Sequence, residues 1–306
     1  MKKIRIAFSG IGAVGGYYGG KMAAKYDGSD SVEIIFIARG RNREQIEKNG
    51  LIIKSGSEEI KCIPVMTDEN AFEIGAVDYL FCCTKSYDLK SNIEQLKPII
   101  HPDTVLVPLL NGADISEYIQ TLLPEQEVWK GCVYIGARLI SPGYVHKFSE
   151  KEQLFFGSKN GDRERQVILL RLLTEAGINA FVPEDIDERI WKKFIMISTA
   201  ATITSYYDLP IGEIIRLHYD EFLALGNEAA SVAAAKGIIL PEDIAVSSVE
   251  AQKMMPEGST TSMHADFKKG GQTELESLTG YIVRSAKESG IETPYYNRMY
   301  DKLKAI

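Results

Sequence analysis

The chain has 306 residues, of which 45% are hydrophobic and 25% charged, as expected for a globular protein with about two domains. Its net charge of -7 argues against nucleic acid, which favours a basic surface. We expect no membrane span, since no run of 18 apolar residues occurs. Glycines and a serine interrupt residues 6–14 and argue against a secretion signal, so a cytoplasmic location is expected.

Short apolar, β-branched runs alternate with helical patterns in the first half of the chain. This alternation predicts a parallel sheet with crossover helices. The predicted strands cover residues 4–9, 32–38, 77–83 and 104–110, and the predicted helices cover residues 14–26 and 43–50. Residues 51–65 predict a hairpin around Ser-Gly-Ser. Two further strands about a Pro-Gly turn at 128–148 predict an antiparallel extension, followed by a helix at 163–176 and a strand at 178–184.

Strand patterns almost disappear after residue 185. Three long helices are predicted, at 185–207, 218–237 and 271–290. The predicted architecture is α/β: a Rossmann-type parallel-sheet domain with an antiparallel extension, followed by an all-helical domain. We place the dinucleotide-binding domain at residues 1–185 and the helical substrate and dimerisation domain at residues 186–306.

A glycine-rich turn joins the first predicted strand to the first predicted helix. It reads Gly10-Ile-Gly12-Ala13-Val14-Gly15. In this context the first glycine permits the tight turn, the second admits a pyrophosphate, and the third lets helix and strand pack closely. Phosphates would meet the N–H groups and partial positive charge of the helix N-terminus, close to Ala13 and Val14. The alternative is a glycine-rich turn without a ligand.

The end of the second predicted strand indicates which dinucleotide would bind. NAD-binding folds usually place an acid there, which takes the ribose 2′-hydroxyl. Here the sequence is "IARGRNR", with Arg39, Arg41 and Arg43 and no acid. Because arginine grips a phosphate through two N–H groups, we predict NADPH as the cofactor, with Arg39 as the contact. The alternative is a solvated basic loop.

Several other features predict no chemistry. The four cysteines form no CxxC pair and are expected to be free thiols, and the four histidines lack metal-ligand spacing, so no metal site is predicted. Tyr17 and Lys21 imitate a short-chain-dehydrogenase pair, but they lie in the first helix beside the phosphate turn, away from a nicotinamide.

Candidate polar groups follow two predicted strands and interrupt one apolar helix face. Lys85 follows the strand at 77–83 and Asn111 the strand at 104–110, where ligands of such sheets bind. Lys193 shares a helix face with Ile190, Ile197 and Ala201, which suggests a cavity in which burial would lower its pKa and suit it to general acid catalysis. Lys193 could instead extend to solvent at a helix edge, and Lys85 and Asn111 could be a surface lysine and a turn.

A third polar group lies in "TTSMHADFKKGGQTELE". Ser262, Asp266 and Glu274 fall within this loop-to-helix segment. We expect a helix to begin near Thr273, so that Glu274 could simply belong to its cap.

Taken in order, these motifs resemble the ketopantoate reductase family over nearly the whole chain: GIGAVGG, TK, LLNG, the helical WxK, TSMHAD and TE. The resemblance implies NADPH-dependent reduction of 2-dehydropantoate to (R)-pantoate, on the route to coenzyme A, by a homodimer. It implies that Lys193 protonates the keto oxygen, that Glu274 supports that site, and that Lys85 lies near the cofactor. Asn111 would position cofactor and substrate, and Ser262 and Asp266 would bind substrate.

One departure leaves the substrate open. Ile197 and Ala201 stand where the family usually has asparagines on the face of the catalytic lysine. Either Ser198, Thr202 or Asn227 replaces those contacts, or the substrate is a different 2-oxo acid with a more apolar tail. Two rivals are a non-catalytic NADP(H)-binding regulator and the 3-hydroxy acid dehydrogenase group, and the pair Lys193 and Glu274 argues against the regulator.

Overall fold

The computed structural model describes residues 3–150 and 152–306, with strands up to residue 181 and long helices after residue 185. The strands are β1 (Ile4–Ser9), β2 (Val32–Ile37), β3 (Leu51–Ser55), β4 (Glu58–Cys62), β5 (Met66–Asp68), β6 (Tyr79–Cys82), β7 (Val105–Pro108), β8 (Glu127–Val128), β9 (Lys130–Tyr134), β10 (Ala137–Ser141), β11 (Tyr144–Lys147), β12 (Gln153–Gly157) and β13 (Ala180–Phe181). The helices are α1 (Ala13–Lys25), α2 (Gly40–Asn49), α3 (Ala71–Ile74), α4 (Leu89–Leu96), α5 (Ile115–Leu122), α6 (Arg163–Glu175), α7 (Ile186–Tyr207), α8 (Ile211–Leu217), α9 (Tyr219–Ala235), α10 (Ile244–Lys253), α11 (Ser262–Lys268), α12 (Thr279–Ser289) and α13 (Pro294–Lys304).

Six parallel strands form the main sheet in the order β5-β2-β1-β6-β7-β8. Strand order reverses between β1 and β6, as in doubly wound dinucleotide-binding folds, so the carboxyl end of β1 faces the switch point. The predicted parallel sheet with crossover helices is confirmed.

Both faces of this sheet are buried, which explains its nearly continuous apolar strands. Successive residues of β1 point to opposite sides: Phe8 belongs to one hydrophobic cluster and Ala7 to the other. The rings of Phe8 and Phe81, on neighbouring strands, stack with their centroids 4.6 Å apart. The two hydrophobic clusters therefore pack against opposite faces of the main sheet.

The hairpin predicted at 51–65 and the antiparallel extension predicted about the Pro-Gly turn form together a separate four-stranded sheet, in which β11 and β3 are parallel. Strands β3 and β4 pair around Gly56, strands β10 and β11 pair around Gly143, and β11 pairs with β3. The segment predicted as the first strand of the second hairpin is divided into β8, β9 and β10, of which only β10 belongs to the hairpin. Strand β8 joins the main sheet and β9 pairs with β12, so tertiary pairing overrides one continuous apolar pattern.

The long helices after residue 185 follow the predicted pattern except at one start. The third predicted helix was expected near Thr273, but α12 begins at Thr279. That prediction is wrong because local bonds form turns instead: the Thr273 hydroxyl accepts from Leu275 N, and Leu278 N donates to Glu274 O. Helix α12 ends as expected at Gly290, which adopts the left-handed conformation.

The chain separates into two compact units. The sheet unit runs to Leu110 and resumes from Asp114 to Ile186, and the helical unit contains Asn111–Ala113 and Asp187–Ile306. The helical unit has its own core, centred on residues such as Phe194, Phe222 and Ile282. Within the described residues, no helix combines the length and apolar character that a bilayer crossing requires.

Candidate functional site

The glycine turn lies at the carboxyl end of β1, tied to the strands on either side. Gly10 N donates to Ile37 O of β2, and Cys83 N, just beyond β6, donates to Ser9 O. Gly10 has a φ of +90°, and a Cβ added there would lie 2.8 Å from Thr84 N. A Cβ on Gly15 would lie 2.3 Å from Gly10 O. Backbone conformation and packing therefore explain these two glycines without any ligand.

Gly12 has no such explanation. A Cβ added at Gly12 would meet no described atom within 4 Å, other than those of its chain neighbours. Gly12 is the N-cap residue of α1 and has no side chain with which to cap it. Ala13 and Val14, in the first turn of α1, are partly exposed. An open space beside uncapped N–H groups suits an anion such as a pyrophosphate.

The end of β6 contributes a second polar group to this edge. The Thr84 hydroxyl is buried and has no hydrogen-bond partner among the described residues. Such an atom is costly unless something completes its bonding, so Thr84 fits a dinucleotide bound at the turn. Lys85 follows it, partly exposed, at the start of a 3-10 turn over Ser86–Asp88. Sequence reasoning used Lys85 and missed Thr84, although both stand in "CCTK".

The arginines after β2 differ in how they are engaged. Arg43 contacts three carboxylates, those of Glu47, Asp68 and Glu69. Arg39 is 66% exposed, and its Nη2 lies 3.7 Å from Asp88 Oδ2. An exposed pair of this kind contributes little, so the Arg39 guanidinium can exchange Asp88 for a phosphate. The sequence showed no acid beside Arg39, because Asp88 comes from the end of another strand.

Asn42 is a further residue that sequence reasoning missed. Its Nδ2 donates to Ile11 O in the glycine turn at 2.6 Å, and its Oδ1 accepts from Gly143 N at 2.7 Å. Asn42 therefore connects the glycine turn to the β10–β11 hairpin. Nothing in the sequence marks it, because both partners are backbone groups distant in the chain.

In the helical unit, Lys193 and Asn111 lie together. Lys193 Nζ donates to Asn111 Oδ1 at 2.8 Å. Residues 111–113 belong to this unit although they follow β7 of the sheet. The neighbouring Lys192 pairs instead with Glu188 Oε1 at 2.5 Å, one helical turn away. The two adjacent lysines thus have different surroundings.

The face of α7 beside Lys193 is apolar. Ile197 is partly buried, and Ala201 is 2% exposed, within the core. The hydroxyls that could replace asparagines here are used inside the unit: Ser198 Oγ lies 3.0 Å from Tyr296 Oη, and Thr202 Oγ1 lies 2.7 Å from Thr279 Oγ1. Asn227, the third candidate, is exposed on α9.

The other predicted site residues follow α10. Ser262 begins α11 and is exposed, and Asp266 is partly buried in the same helix. Glu274 lies in the turn before α12 and is 3% exposed. A buried carboxylate is costly unless it is paired or hydrogen-bonded, which distinguishes Glu274 from an exposed helix cap.

Tyr17 and Lys21, which imitate a short-chain-dehydrogenase pair in the sequence, have other contacts in the structure. Lys21 Nζ donates to Gly177 O, and Tyr17 is buried, which raises the pKa of its hydroxyl above the usual range. This pair therefore serves packing in the sheet unit. Among the described residues, no three His, Cys, Asp or Glu side chains cluster closely enough to hold a metal ion.

The fold and the glycine turn are those of a dinucleotide-binding oxidoreductase. Residues 6–161 match the family model "Ketopantoate reductase PanE/ApbA", and residues 185–306 match "Ketopantoate reductase PanE/ApbA C terminal". The oxidoreductase YkpB of Bacillus subtilis is 30% identical over 300 residues, covering 96% of each chain. The chain belongs to the ketopantoate reductase family of oxidoreductases.

Solved structures share this fold over almost the whole chain. The 2-dehydropantoate 2-reductase of Porphyromonas gingivalis is 40% identical, with a TM-score of 0.87 and coverage of 99% of this chain and 100% of that one. A D-mandelate dehydrogenase solved with NADH and anilino(oxo)acetate is 24% identical, with a TM-score of 0.86 and coverage of 99% and 98%. At that lower identity the second likeness concerns the fold alone.

Proposed function

We propose that this protein reduces 2-dehydropantoate to (R)-pantoate with NADPH. The observation that carries the proposal is the bond from Lys193 Nζ to Asn111 Oδ1, which joins two residues 82 positions apart. It brings together the predicted general acid and the predicted substrate-positioning amide. The 2-dehydropantoate 2-reductase of Porphyromonas gingivalis, at 40% identity, supports this substrate.

In the proposed reaction, Lys193 acts on the keto oxygen. Bound NADPH supplies a hydride to the keto carbon. Lys193 donates a proton to the oxygen as negative charge develops there, which stabilises the transition state. Asn111 orients the ammonium, and an ammonium has three N–H donors, so one group can bond to both Asn111 and the substrate. Glu274 supports this site, and Ser262 and Asp266 hold the substrate.

The cofactor proposal rests on the sheet unit. The open space at Gly12, the unpartnered Thr84 hydroxyl and the partly exposed Lys85 would take the pyrophosphate and the ribose next to it. Arg39 would take the 2′-phosphate in place of Asp88. Because NADH lacks the 2′-phosphate that Arg39 would contact, NADH is the comparison for NADPH in binding measurements.

One assay tests the substrate. NADPH oxidation is followed with 2-dehydropantoate and with a panel of 2-oxo acids that carry apolar tails. The proposal predicts the highest kcat/KM for 2-dehydropantoate. Equal or higher values for the apolar acids would reassign the substrate, and the absence of turnover with every acid would favour an NADP(H)-binding regulator.

A pair of arginine variants tests the cofactor. Arg39→Ala should raise the Kd for NADPH about tenfold or more, since a hydrogen-bonded charge pair is lost, and should leave the Kd for NADH unchanged. Arg43→Ala is the matched control, because Arg43 is already engaged by three acids. Equal weakening of both dinucleotides by Arg39→Ala would contradict its assignment to the 2′-phosphate.

A second candidate is the reduction of a different 2-oxo acid with a more apolar tail. The observation that favours it is that Ser198 and Thr202 are paired with Tyr296 and Thr279, so they do not replace the family's asparagines. The side chain next to Lys193 on that face is then Ile197. Ile197→Asn should shift selectivity toward 2-dehydropantoate if this candidate is correct, and should leave the ranking of the acids unchanged otherwise.

Two coarser expectations accompany the proposal. We infer a homodimer and a cytoplasmic location from the family resemblance. The ketopantoate reductase of Staphylococcus aureus, a neighbour in fold at 20% identity, is described as dimeric. Light scattering of the purified chain would test the first expectation.

A further inference from the structure

A buried histidine connects the end of α7 to the start of α11. His264 is 2% exposed, its Nε2 lies 2.7 Å from Asp208 Oδ1, and its Nδ1 bonds to the hydroxyl of Thr260. Because a carboxylate only accepts, Nε2 carries the proton and donates to Asp208. Asp208 directly follows α7, and Thr260 lies two residues before α11. The imidazole ring of His264 in α11 therefore contacts a residue that lies 56 positions earlier in the chain.

The backbone of Asp208 is unusual. Its φ of +56° makes it the one non-glycine residue with a positive φ in the described part of the chain. Glycine or asparagine usually occupies this position after a helix, since a Cβ is disfavoured there. The Asp208 carboxylate also lies 3.2 Å from Lys268 Nζ, and its two contacts hold the pKa of Asp208 below the usual value. An aspartate at this position contributes through its side-chain contacts, while its backbone conformation favours glycine.

Two further bonds attach the same segment. Thr204 Oγ1, in the last turn of α7, lies 3.0 Å from Thr261 Oγ1, and Ile211 N of α8 donates to Ser259 O at 2.9 Å. Thr261 in turn caps α11, accepting from His264 N at 3.3 Å. Residues 259–264 are therefore fixed to the end of α7 and the start of α8 at three points.

The helices that the pair connects carry the proposed substrate groups. Helix α7 carries Lys193, and α11 carries Ser262 and Asp266. His264 lies between Ser262 and Asp266 in sequence, with its ring turned into the core. The position of α11 against the end of α7 therefore sets where Ser262 and Asp266 lie with respect to Lys193, within one unit.

We propose that Asp208 and His264 are positioning residues that hold α11 for binding of the 2-oxo acid. The proposal rests on the proposed function and adds a specificity element to its site. If contacts from α11 stabilise the bound substrate and the transition state equally, their loss raises KM and leaves kcat unaltered. Cofactor binding would also be unaltered, since none of its proposed residues lies in α11.

Two substitutions at Asp208 separate positioning from folding. Asp208→Gly removes the acceptor of His264 and relieves the positive φ, so the two effects on Tm partly offset each other, and we expect a small change of Tm together with a KM for the 2-oxo acid raised about tenfold. Asp208→Asn tolerates the same φ and still accepts from Nε2–H, so its KM should stay within about threefold of wild type. The kcat and the Kd for NADPH, measured by fluorescence quenching, should be unchanged in both variants.

Variants of the partners complete the test. His264→Gln offers an amide donor to Asp208 and should keep KM lower than His264→Leu, which offers none. Lys268→Ala removes the exposed second partner of Asp208 and should change KM little. The proposal is overturned if Asp208→Gly leaves KM unchanged, or if Asp208→Asn raises KM as much as Asp208→Gly does.

The outcome for the wild-type protein distinguishes this proposal from the proposed function. A wild-type protein that reduces no 2-oxo acid refutes the proposed function, and the substrate role of Asp208 and His264 with it. The positioning role alone is refuted if the wild-type protein turns over normally and Asp208→Gly lowers both kcat and the affinity for NADPH. The predicted rise in KM with intact cofactor binding supports both.

Discussion

At the residue scale, two adjacent lysines of one helix have different partners. Lys193 donates to Asn111, a residue from a distant loop, and Lys192 pairs with Glu188 within the helix. Neighbouring residues of a helix point about 100° apart, so two adjacent lysines can contact different groups. Residue type alone does not distinguish the two, whereas their contacts do.

This difference gives a matched pair of variants. Lys193→Ala should lower kcat by roughly 10² to 10⁴, the usual contribution of a positioned general acid. Lys192→Ala removes a partly exposed ion pair within the helix and should leave kcat within about threefold of wild type. Two quantities are measured for each variant: the rate of turnover with NADPH, and the Tm. Full turnover by Lys193→Ala would contradict the proposed mechanism.

At the scale of the element, the turn between β1 and α1 contains glycines with different physical reasons. Gly10 and Gly15 are required by the fold, because a side chain there would overlap neighbouring atoms. Gly12 faces open space among the described residues, with a φ of -95° and a ψ of -144°. The fold therefore explains Gly10 and Gly15, and the open space at Gly12 suits a ligand.

Alanine at two of these glycines should have opposite effects. Gly15→Ala places a Cβ 2.3 Å from Gly10 O, and overpacking of about 1–3 kcal/mol or more should lower Tm by several degrees. Gly12→Ala should lower Tm less than Gly15→Ala does, since its added Cβ meets open space among the described residues. Calorimetry and NADPH titration are the measurements, with Gly12→Ala expected to raise the Kd about tenfold or more.

Either of two results with the alanine variants would contradict these assignments of Gly12 and Gly15. A Gly12→Ala protein that bound NADPH normally would move the pyrophosphate away from this turn. A Gly15→Ala protein of unchanged Tm would show that α1 can shift on β1 without cost, against the close packing described for the two.

At the scale of the whole molecule, all four cysteines belong to the sheet unit and none of them forms a disulfide. Burial raises the pKa of Cys62 and of Cys82 to about 12. Only the thiolate reacts with labelling reagents, so at pH 8 about one molecule in 10⁴ would present a reactive form at either position. Labelling of these two thiols should therefore report opening of the sheet unit.

Thiol labelling tests this view and the site of cofactor binding together. In native protein at pH 8, Cys62 and Cys82 should label slowly, and all four thiols should label at once in guanidinium chloride. NADPH at 100 times its Kd should slow labelling of Cys82 by up to about 100-fold, because ligand bound to the native unit disfavours its opening. Rapid labelling of Cys62 or Cys82 in native protein, or no effect of NADPH, would contradict the prediction.

The sequence by itself determined the alternation of strands and helices, the parallel sheet, the long helices and the family. These follow from local patterns: apolar periodicity, helix-stopping glycines such as Gly290, and a glycine turn in the right context. The candidate residues Gly12, Arg39, Lys193 and Glu274 could be proposed from the same patterns because each departs from its local surroundings.

The tertiary structure alone decided which groups meet. Four findings depend on contacts between distant segments: the division of residues 127–141 into three strands, the pairing of Lys193 with Asn111, the contacts of Arg43 with Asp68 and Glu69, and the use of Ser198 and Thr202 inside the core. Asp208, His264 and Asn42 gave no signal in the sequence for the same reason. Hydrogen bonds and burial are properties of pairs brought together by folding, and a linear pattern carries only the propensities of neighbours.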